Sequence, residues 1–372
     1  MCLIAGGLLL HSFSKLINVD RGFETQRIVT VGMNLAGTRY PDRDKRADFL
    51  RKLLDRVSAL PGVTSAAVSN MLLLSGEGGN NVISPEGSAL PLVERLVADI
   101  RQVNPDYFRT FGIPLRAGRF FTDADRGHNV ALLSAITAER VWPGQNALGK
   151  RLHVGGDDSP LVEVIGVTGD VRAVSLNKNP SATVYLPYWQ RNFNRASLAI
   201  KTAIAPLAAS SEIRAAIRAI DPELPVPAFR TMDEIVAESV AQRRFQLTLV
   251  LLFGVTALLL ASLGIYGVVS YSVAQRTNEM GIRMALGAPV ASIRSLVLRQ
   301  SLPPAILGLG AGIVASVALS RVLSSLLFGI GATDPLTIAG VCALLGGVTL
   351  VAAYIPARRA TEVDPITALR YD

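Results

Sequence analysis

The sequence predicts an α+β extracytoplasmic domain joined to an all-α transmembrane bundle of three complete helices plus the end of a truncated fourth. Two observations support this prediction. Three uncharged apolar stretches, at 245–274, 301–319 and 335–355, each have the roughly 20 residues that a helix needs to cross a bilayer. Residues 20 to about 240 instead mix short apolar and polar segments, as does a globular domain long enough to bury its own core.

The amino-terminal segment 1–19 is predicted to be the end of a truncated first transmembrane helix. Its apolar run at 2–10 is too short to cross a bilayer, so the helix would begin before Met1. A signal peptide is the alternative, but no Lys or Arg precedes the run and no cleavage pattern of small residues follows it.

Residues 20–230 form the predicted α+β domain. Alternating apolar residues indicate a strand at 29–35, a one-faced helix then ends before Pro61 and Gly62, and a strand follows at 63–68, which together make a β-α-β unit. The segment 74–88 is rich in Gly, Asn and Ser and is predicted to be a mobile loop. Further strands are predicted at 93–103 (which could also be helical), 130–133, 161–167, 183–186 and 197–202, and helices at 134–142 and 206–220.

Residues 231–372 form the second predicted domain. A capping box of Thr231 and Glu234 begins a helix that no Gly or Pro interrupts before Gly254. We expect one unbroken stalk helix from Thr231 to Tyr271, which would couple the external domain to the membrane. The remaining predicted parts are spans at about 245–273, 301–319 and 335–355 and a cytoplasmic tail.

The distribution of arginine predicts the orientation of the chain. The connection 275–299 carries four arginines against one acid, and the tail contains Arg358 and Arg359, so the positive-inside rule places both in the cytoplasm and the large domain outside. The prediction is a multi-pass protein of the plasma (inner) membrane. The net charge of +8 is concentrated beside the spans, and no basic stripe suited to nucleic acid is present in the first 240 residues.

Two motifs that suggest chemistry are better explained as turns. The G-x-x-x-x-G-K match at 144–150 is followed by Arg151, where a phosphate-binding loop needs Ser or Thr, and then by a strand-like pattern. The cluster of Asp123, Asp125 and His128 lacks the ordered oxygens of a metal site and is interpreted as a surface turn. We predict no catalytic, cofactor or metal site and no enzyme activity in this chain.

The segment 275–288 is the most informative part of the sequence. Glu279 and Arg283 stand at i and i+4, in the order that stabilises a helix. The physical chemistry leaves two interpretations open: an interfacial helix anchored by arginines, or a helix that docks on a partner. In the second span, Gly308 and Gly312 form a G-x-x-x-G motif that predicts close packing between helices.

The sequence QRTNEMGIRMALGA at 275–288 resembles the signature of the FtsX/MacB family of ABC-transporter permeases, and YIPARRA at 354–360 resembles that family's carboxyl terminus. Upstream, NPDYF at 104–108 and VIGV at 164–167 are similar to the MacB-like periplasmic core domain. The chain most resembles the C-terminal half of a duplicated ADOP-family permease.

The resemblance implies a permease subunit of an ABC-type export or mechanotransmission system, which couples a separate ATPase subunit to the extracytoplasmic domain. It assigns the contact with the ATPase to Glu279, Gly281, Arg283, Leu286, Gly287 and Ala288. Other implied partners are a second permease unit (a homodimer or fused repeat), membrane lipid and a periplasmic adaptor. The alternative is a non-transporting membrane transmitter or scaffold that regulates an extracytoplasmic partner such as a cell-wall hydrolase.

Overall fold

The computed structural model describes residues 2–76, 79–276, 279, 282–283, 286, 289–318, 331 and 334–360. The chain divides into two compact units. One is Val19–Ala241, and the other combines Met1–Asn18 with Gln242–Asp372. The domain boundaries at 19/20 and 230/231 remain predictions.

The chain begins with helix α1 (Cys2–Ile17). The unit Val19–Ala241 then contains, in chain order, β1 (Ile28–Asn34), α2 (Arg43–Ser58), β2 (Val63–Ser69), β3 (Asn80–Pro85), β4 (Leu96–Val103), α3 (Tyr107–Phe111), β5 (Leu115–Gly118), β6 (Val130–Ser134), α4 (Ala135–Val141), β7 (Arg151–Val154), β8 (Leu161–Thr168), β9 (Thr183–Pro187), β10 (Arg195–Thr202), α5 (Ser210–Arg218), β11 (Arg230–Thr231) and α6 (Met232–Ser239). The other unit continues with α7 (Ala241–Gln275), α8 (Val290–Ala318) and α9 (Pro335–Ala360).

The first lobe of the unit Val19–Ala241 is built around the predicted β-α-β unit. β10 lies between β1 and β2 and is antiparallel to both, so β1 and β2 are parallel but separated by one strand. Val31, Leu53 and Ile213 are buried in the core that α2 and α5 form against one face of this sheet. The side chain of Asp42 begins α2 by accepting a hydrogen bond of 2.8 Å from the backbone N–H of Lys45.

The second lobe is a closed ring of strands. Its order is β4-β3-β7-β8-β6-β9, and β9 pairs in parallel with β4 to complete the ring. Leu133, Leu152, Val164 and Val184 are buried in its core. Closure leaves the strands of this ring with partners on both sides, which stabilises short strands such as the four-residue β7.

The predicted loop 74–88 contains strand β3, so that prediction was wrong. Asn81, Val82 and Ile83 pair with β4, and β3 also pairs with β7. The Asn- and Ser-rich composition disfavours a strand locally, but hydrogen bonding to two neighbours overrides that preference. The strand predicted at 93–103 is confirmed from Leu96 onward, because residues 92–94 form a short 3₁₀ turn.

The stalk helix is interrupted, which contradicts the prediction of one unbroken helix from Thr231 to Tyr271. The capping box of Thr231 and Glu234 is confirmed. However, α6 ends at Ser239, and α7 begins only after Val240, which adopts φ −109° and ψ 0°. The Ser239 hydroxyl donates a hydrogen bond of 2.7 Å to the Val236 carbonyl, a local interaction that competes with helix continuation.

Two described helices are long and apolar enough to cross a membrane, Ala241–Gln275 and Pro335–Pro356. Leu3–Ile17 and Ile306–Ala315 are shorter apolar helical stretches. The second of these lies within α8, which begins at Val290 and so extends the predicted span at 301–319 toward its amino end. Three complete spans remain a prediction.

Helices α1 and α9 pack closely through a glycine. A Cβ atom on Gly7 would lie 2.8 Å from Cγ2 of Thr337 and 3.4 Å from Cγ2 of Val341, so a larger residue at position 7 would push the two helices apart. Near the same contact, Nδ1 of His11 lies 3.4 Å from Oδ2 of Asp334, which also caps the start of α9. These contacts tie the first helix of the chain to the last described one.

Candidate functional site

The described residues of the segment after α7 present one helix face. Glu279, Ile282 and Arg283 are helical, and the backbone N–H of Leu286 donates a hydrogen bond of 3.0 Å to the Ile282 carbonyl. The four positions follow the spacing i, i+3, i+4 and i+7, which places them on one side of a helix. An ion pair and two apolar side chains therefore share this side, which we call the 279–286 face.

The ion pair on the 279–286 face is well formed. Nη2 of Arg283 donates to Oε1 of Glu279 at 2.6 Å, and each side chain is about half exposed. The i,i+4 interaction predicted from the sequence is therefore confirmed. Because both charges face solvent, the pair itself contributes little to stability, about 0.3–0.5 kcal/mol.

The apolar residues of the 279–286 face are exposed. Leu286 is 83% exposed and Ile282 is 46% exposed. Exposed apolar side chains beside an oriented ion pair are suited to a partner surface. Such a surface would cover the apolar side chains and place charges of opposite sign against the ion pair. The other residues assigned to the ATPase contact, Gly281, Gly287 and Ala288, lie outside the described residues.

The predicted packing pair in α8 shows no close contact at its first member. A Cβ atom placed on Gly308 would meet no described heavy atom within 4 Å, and Gly312 is half-buried. The close approach seen within the unit is instead at Gly7 of α1. The role of Gly308 and Gly312 in helix packing remains a prediction.

The phosphate-loop match at 144–150 forms a turn that leads into strand β7, as the sequence analysis indicated. The backbone N–H of Gly149 donates to the Val164 carbonyl at 2.9 Å, so it is used within the fold. Nζ of Lys150 donates to Oε1 of Gln145 at 2.5 Å and lies 5.2 Å from the ring centre of Trp142. This lysine interacts with its own turn.

The cluster of Asp123, Asp125 and His128 is a turn in which Asp125 has a structural role. Its two carboxylate oxygens accept hydrogen bonds of 2.6 and 2.8 Å from the guanidinium of Arg119. It also accepts one of 2.8 Å from the backbone N–H of Thr122. Asp125 is buried, whereas Asp123 and His128 are exposed.

We predict that acid removes the contribution of Asp125 to stability. The hydrogen bonds from Arg119, and then those from Thr122, lower the pKa of Asp125 from 3.8 to about 2. A lowered pKa in the folded state stabilises the protein above pH 3.8, and this contribution is lost as pH falls through about 2. Asp125→Asn should therefore lower the free energy of unfolding by about 1–3 kcal/mol near neutral pH.

Denaturant unfolding of both proteins across pH checks this prediction. The difference between wild type and Asp125→Asn should shrink as pH falls from about 4 to about 2, because the wild-type carboxyl then becomes neutral as well. A difference that stays constant across this range would contradict the assignment of Asp125.

Comparisons with known proteins place the chain in a family. A family model described as the MacB-like periplasmic core domain matches residues 1–220. A second one, described as FtsX-like permease C-terminal, matches residues 251–365 and includes the 279–286 face. The chain belongs to the FtsX/MacB family of ABC-transporter permeases. Family membership and the apolar helices of the second unit identify it as a membrane protein with an extracytoplasmic MacB-like domain of α+β fold.

Relatives of the chain carry names that refer to export. The chain is 29% identical over 339 residues to the "Probable syringafactin export ATP-binding/permease protein SyfD" of Pseudomonas syringae pv. tomato. This alignment covers 84% of the chain and 49% of that protein. It is 31% identical to the "Macrolide export ATP-binding/permease protein MacB" of Marinobacter nauticus, over 69% of the chain and 40% of that protein. The chain spans about half the length of the curated relatives it matches.

Among solved structures, the periplasmic region of MacB from Actinobacillus actinomycetemcomitans is similar to the chain at 17% sequence identity and a TM-score of 0.40. The similarity covers 59% of this chain and 95% of that one. The two family matches together extend over both units of this chain and concern the permease part of such proteins.

Two glycines whose positions need an explanation were not singled out from the sequence. Gly7 lies in an apolar run where a glycine also fits a lipid-facing position, so only the contact with Thr337 reveals its packing role. Gly32 lies in the middle of β1, where a glycine weakens a strand. The sequence did contain a signal for this position, because an isolated glycine within an alternating strand pattern often marks a close approach to the backbone.

Proposed function

We propose that the chain is the permease subunit of an ABC-type export or mechanotransmission system. A separate ATPase subunit binds the 279–286 face, and ATP-driven movement of that subunit is passed through the membrane helices to the extracytoplasmic domain. The names of the relatives cited above, which combine ATP-binding and permease functions, support this proposal.

The observation that carries the proposal is the composition of the 279–286 face. It combines an oriented ion pair of 2.6 Å with apolar side chains that are open to solvent. An interfacial helix held by lipid would place its apolar side chains in the membrane and its charges on the opposite side. Here Glu279 and Arg283 share a face with Leu286, which fits a protein groove with both apolar and charged walls better than a lipid surface.

Force would reach the external domain across the junction of α6 and α7. Because the helix is interrupted at Val240, we propose that the junction acts as a joint rather than as part of a rigid rod. Movement of α7 would then be passed on as a change in the direction of α6. The non-transporting alternative shares the same docking step and differs only in what the external domain acts on.

A second permease unit and lipid are further proposed partners. The apolar side chains of Leu252, Phe253 and Leu260 on α7 are each more than 60% exposed. Lipid or a second unit would cover these side chains, and the open surface at Gly308 allows a helix to approach closely. A periplasmic adaptor would be a partner of the external domain.

We expect Glu279→Ala combined with Arg283→Ala to reduce association with the ATPase at least about tenfold, equivalent to about 1.4 kcal/mol. The affinity-tagged full chain would be isolated from membranes of its native cell. The ATP hydrolysis that copurifies with it would be measured per mole of chain.

A matched control removes another exposed i,i+4 ion pair. Asp48 and Lys52 lie on α2 with Nζ and Oδ2 2.7 Å apart, and Asp48→Ala with Lys52→Ala should leave the copurified ATPase activity unchanged. Equal activity with wild type and with the Glu279/Arg283 variant would refute the docking assignment. Equal loss in both variants would indicate general damage and would refute it as well.

A further inference from the structure

We propose that the extracytoplasmic domain carries a binding groove for a small uncharged amphiphile on the outer face of β1 and β10. Two depressions, of about 620 and 600 Å³, share Gly32, Leu72, Ser75 and Ser197 in their linings, so they form one continuous groove. We call it the β1–β10 groove. Each volume falls within the range of about 300–1,000 Å³ that is common for small-molecule sites.

The floor of the β1–β10 groove is kept low by small side chains. Val31 and Met33 point into the core on the opposite face of the sheet, which leaves Gly32 on the outer face. Ser197 of β10 pairs directly with Gly32. A glycine and a serine side by side therefore make a shallow channel across these two strands.

Gly32 has no explanation within the fold itself. A Cβ atom at this position would meet no described heavy atom within 4 Å, and its φ lies outside the left-handed region that favours glycine. A glycine inside a strand destabilises it by roughly 0.5–1 kcal/mol relative to alanine. Such a glycine often marks a position where another molecule approaches the backbone, and a ligand in the groove supplies that reason here.

The first wall of the groove is a rigid segment at 225–228. The guanidinium of Arg214 holds it by donating hydrogen bonds of 2.6 Å to the Val226 carbonyl and 3.1 Å to the Pro227 carbonyl. Two prolines, Pro225 and Pro227, restrict the backbone further. This wall therefore keeps its position without a ligand and presents the half-buried Val226 to the groove.

The second wall is the turn at 71–76, which is anchored from two sides. Nη1 of the buried Arg101 donates to the Met71 carbonyl at 3.1 Å. The backbone N–H of Leu74 donates to the Ala173 carbonyl at 2.7 Å, although Leu74 adopts a strained φ of +61°. Anchoring from the second lobe fixes the width of the groove.

The lining of the groove is mixed along its length, which defines its ligand. One end is lined by Met71, Leu72 and Pro225, together with the polar Asn34, Asn70 and Arg195. The other is lined by Leu74 and Ile235, together with the ion pair of Arg230 and Glu238 and several hydroxyl groups. An apolar body suits the apolar side chains at both ends. Beside the ion pair, a donor and an acceptor of opposite charge lie next to each other, so an uncharged head that both donates and accepts hydrogen bonds is complementary.

Binding of dansyl-labelled decyl maltoside, an uncharged amphiphile, would test the proposal. The full chain would be placed in lipid nanodiscs, and fluorescence anisotropy would be measured below the micelle concentration, with empty nanodiscs subtracted. The assay contains no ATPase, so its result is independent of the proposed coupling function. We expect saturable binding to wild type and at least about tenfold weaker binding to Gly32→Trp, whose side chain fills the groove floor.

Gly156→Trp is the matched control. Gly156 is exposed, has no described heavy atom within 4 Å of a Cβ position, and lies outside the groove. This variant should bind as wild type does, whereas Gly32→Ala should bind more weakly than wild type but more tightly than Gly32→Trp, because its methyl group occupies the place where the ligand approaches the backbone. Absence of saturable binding to wild type, or equal binding by wild type and Gly32→Trp, would overturn the proposal.

A second measurement does not depend on the folding of Gly32→Trp. In a chain with Cys2→Ser and Cys342→Ser, the single thiol of Ser197→Cys would be labelled with a water-soluble maleimide. The unlabelled maltoside should slow this labelling at the concentrations at which the probe binds. Unchanged labelling of Ser197→Cys would refute occupation of the groove even if the anisotropy assay shows binding elsewhere.

Discussion

Replacing Asp99 with alanine is expected to lower the free energy of unfolding by about 3–5 kcal/mol, because it leaves the charge of Arg101 buried without a partner. Arg101 is fully buried, and Asp99 is 2% exposed. Nε of Arg101 donates to Oδ2 of Asp99 at 2.8 Å, and the other carboxylate oxygen accepts a bond of 3.0 Å from the backbone N–H of Gly79. Asp99 therefore pairs with a guanidinium that has no access to water and with the backbone of the partly buried Gly79.

The neighbours of this buried pair cannot replace the lost carboxylate. Electrostatic contacts link Arg101 to Tyr107 and Tyr185, which are both fully buried. Burial raises the pKa of both phenols, so both stay neutral near pH 7. After Asp99→Ala, only neutral groups would face the guanidinium of Arg101, so the loss in the free energy of unfolding would not be offset.

Denaturant unfolding of the full chain measures the effect of Asp99→Ala. Asp48→Ala, which removes a carboxylate from an exposed ion pair, is the control and should cost less than about 1 kcal/mol. Asp99→Leu combined with Arg101→Met should recover part of the loss, since no buried charge then remains. A cost for Asp99→Ala similar to that of Asp48→Ala would show that the pair does not stabilise the domain.

The same pair has a consequence for the β1–β10 groove. Arg101 donates to the Met71 carbonyl, so it holds one wall of the groove in addition to its ion pair. Loss of Asp99 would allow Arg101 to move toward water and would release this wall. Asp99→Ala should therefore weaken amphiphile binding even under conditions in which the domain stays folded.

Local patterns predicted the regular parts of this fold well. Apolar residues alternate along β1 and β2 and lie on one face of α2. These patterns exist because the apolar side chains of all three elements are buried in one core. β3 was missed because its six residues contain only two apolar ones, and it is stabilised by backbone pairing with two neighbours. The closed ring of the second lobe could not be inferred, because strand order depends on contacts distant in sequence.

The candidate sites show the same division. The ion pair of Glu279 and Arg283 follows from spacing along one helix, and the structure contains it. The roles of Gly7 and Gly32 depend on what lies opposite each glycine in space. The interruption of the helix at Val240 depends on competition between local hydrogen bonds. Sequence patterns indicate that a helix or strand forms. The role of a glycine within that element can be assigned only when the residues that lie opposite it in space are known.

Exchanging the two charges of the 279–286 face should separate a docking role from a local structural one. Glu279→Arg with Arg283→Glu keeps an i,i+4 ion pair and loses only a few tenths of a kcal/mol of helix stability, because the reversed order is less favourable. Toward a partner, however, each position presents the opposite charge. Like charges placed against each other cost several kcal/mol, so the affinity for the ATPase should fall at least about thirtyfold, equivalent to about 2 kcal/mol.

The dissociation constant of the purified ATPase for the full chain in nanodiscs gives the result. Asp48→Lys with Lys52→Asp makes the same exchange on α2 and should leave the affinity unchanged. If the exchanged 279–283 pair bound as tightly as wild type, the ion pair would serve only to stabilise its own helix. Strong loss from the exchange, which retains the helix-stabilising pair, requires that Glu279 and Arg283 are recognised by sign and position, as expected of residues that contact a second protein.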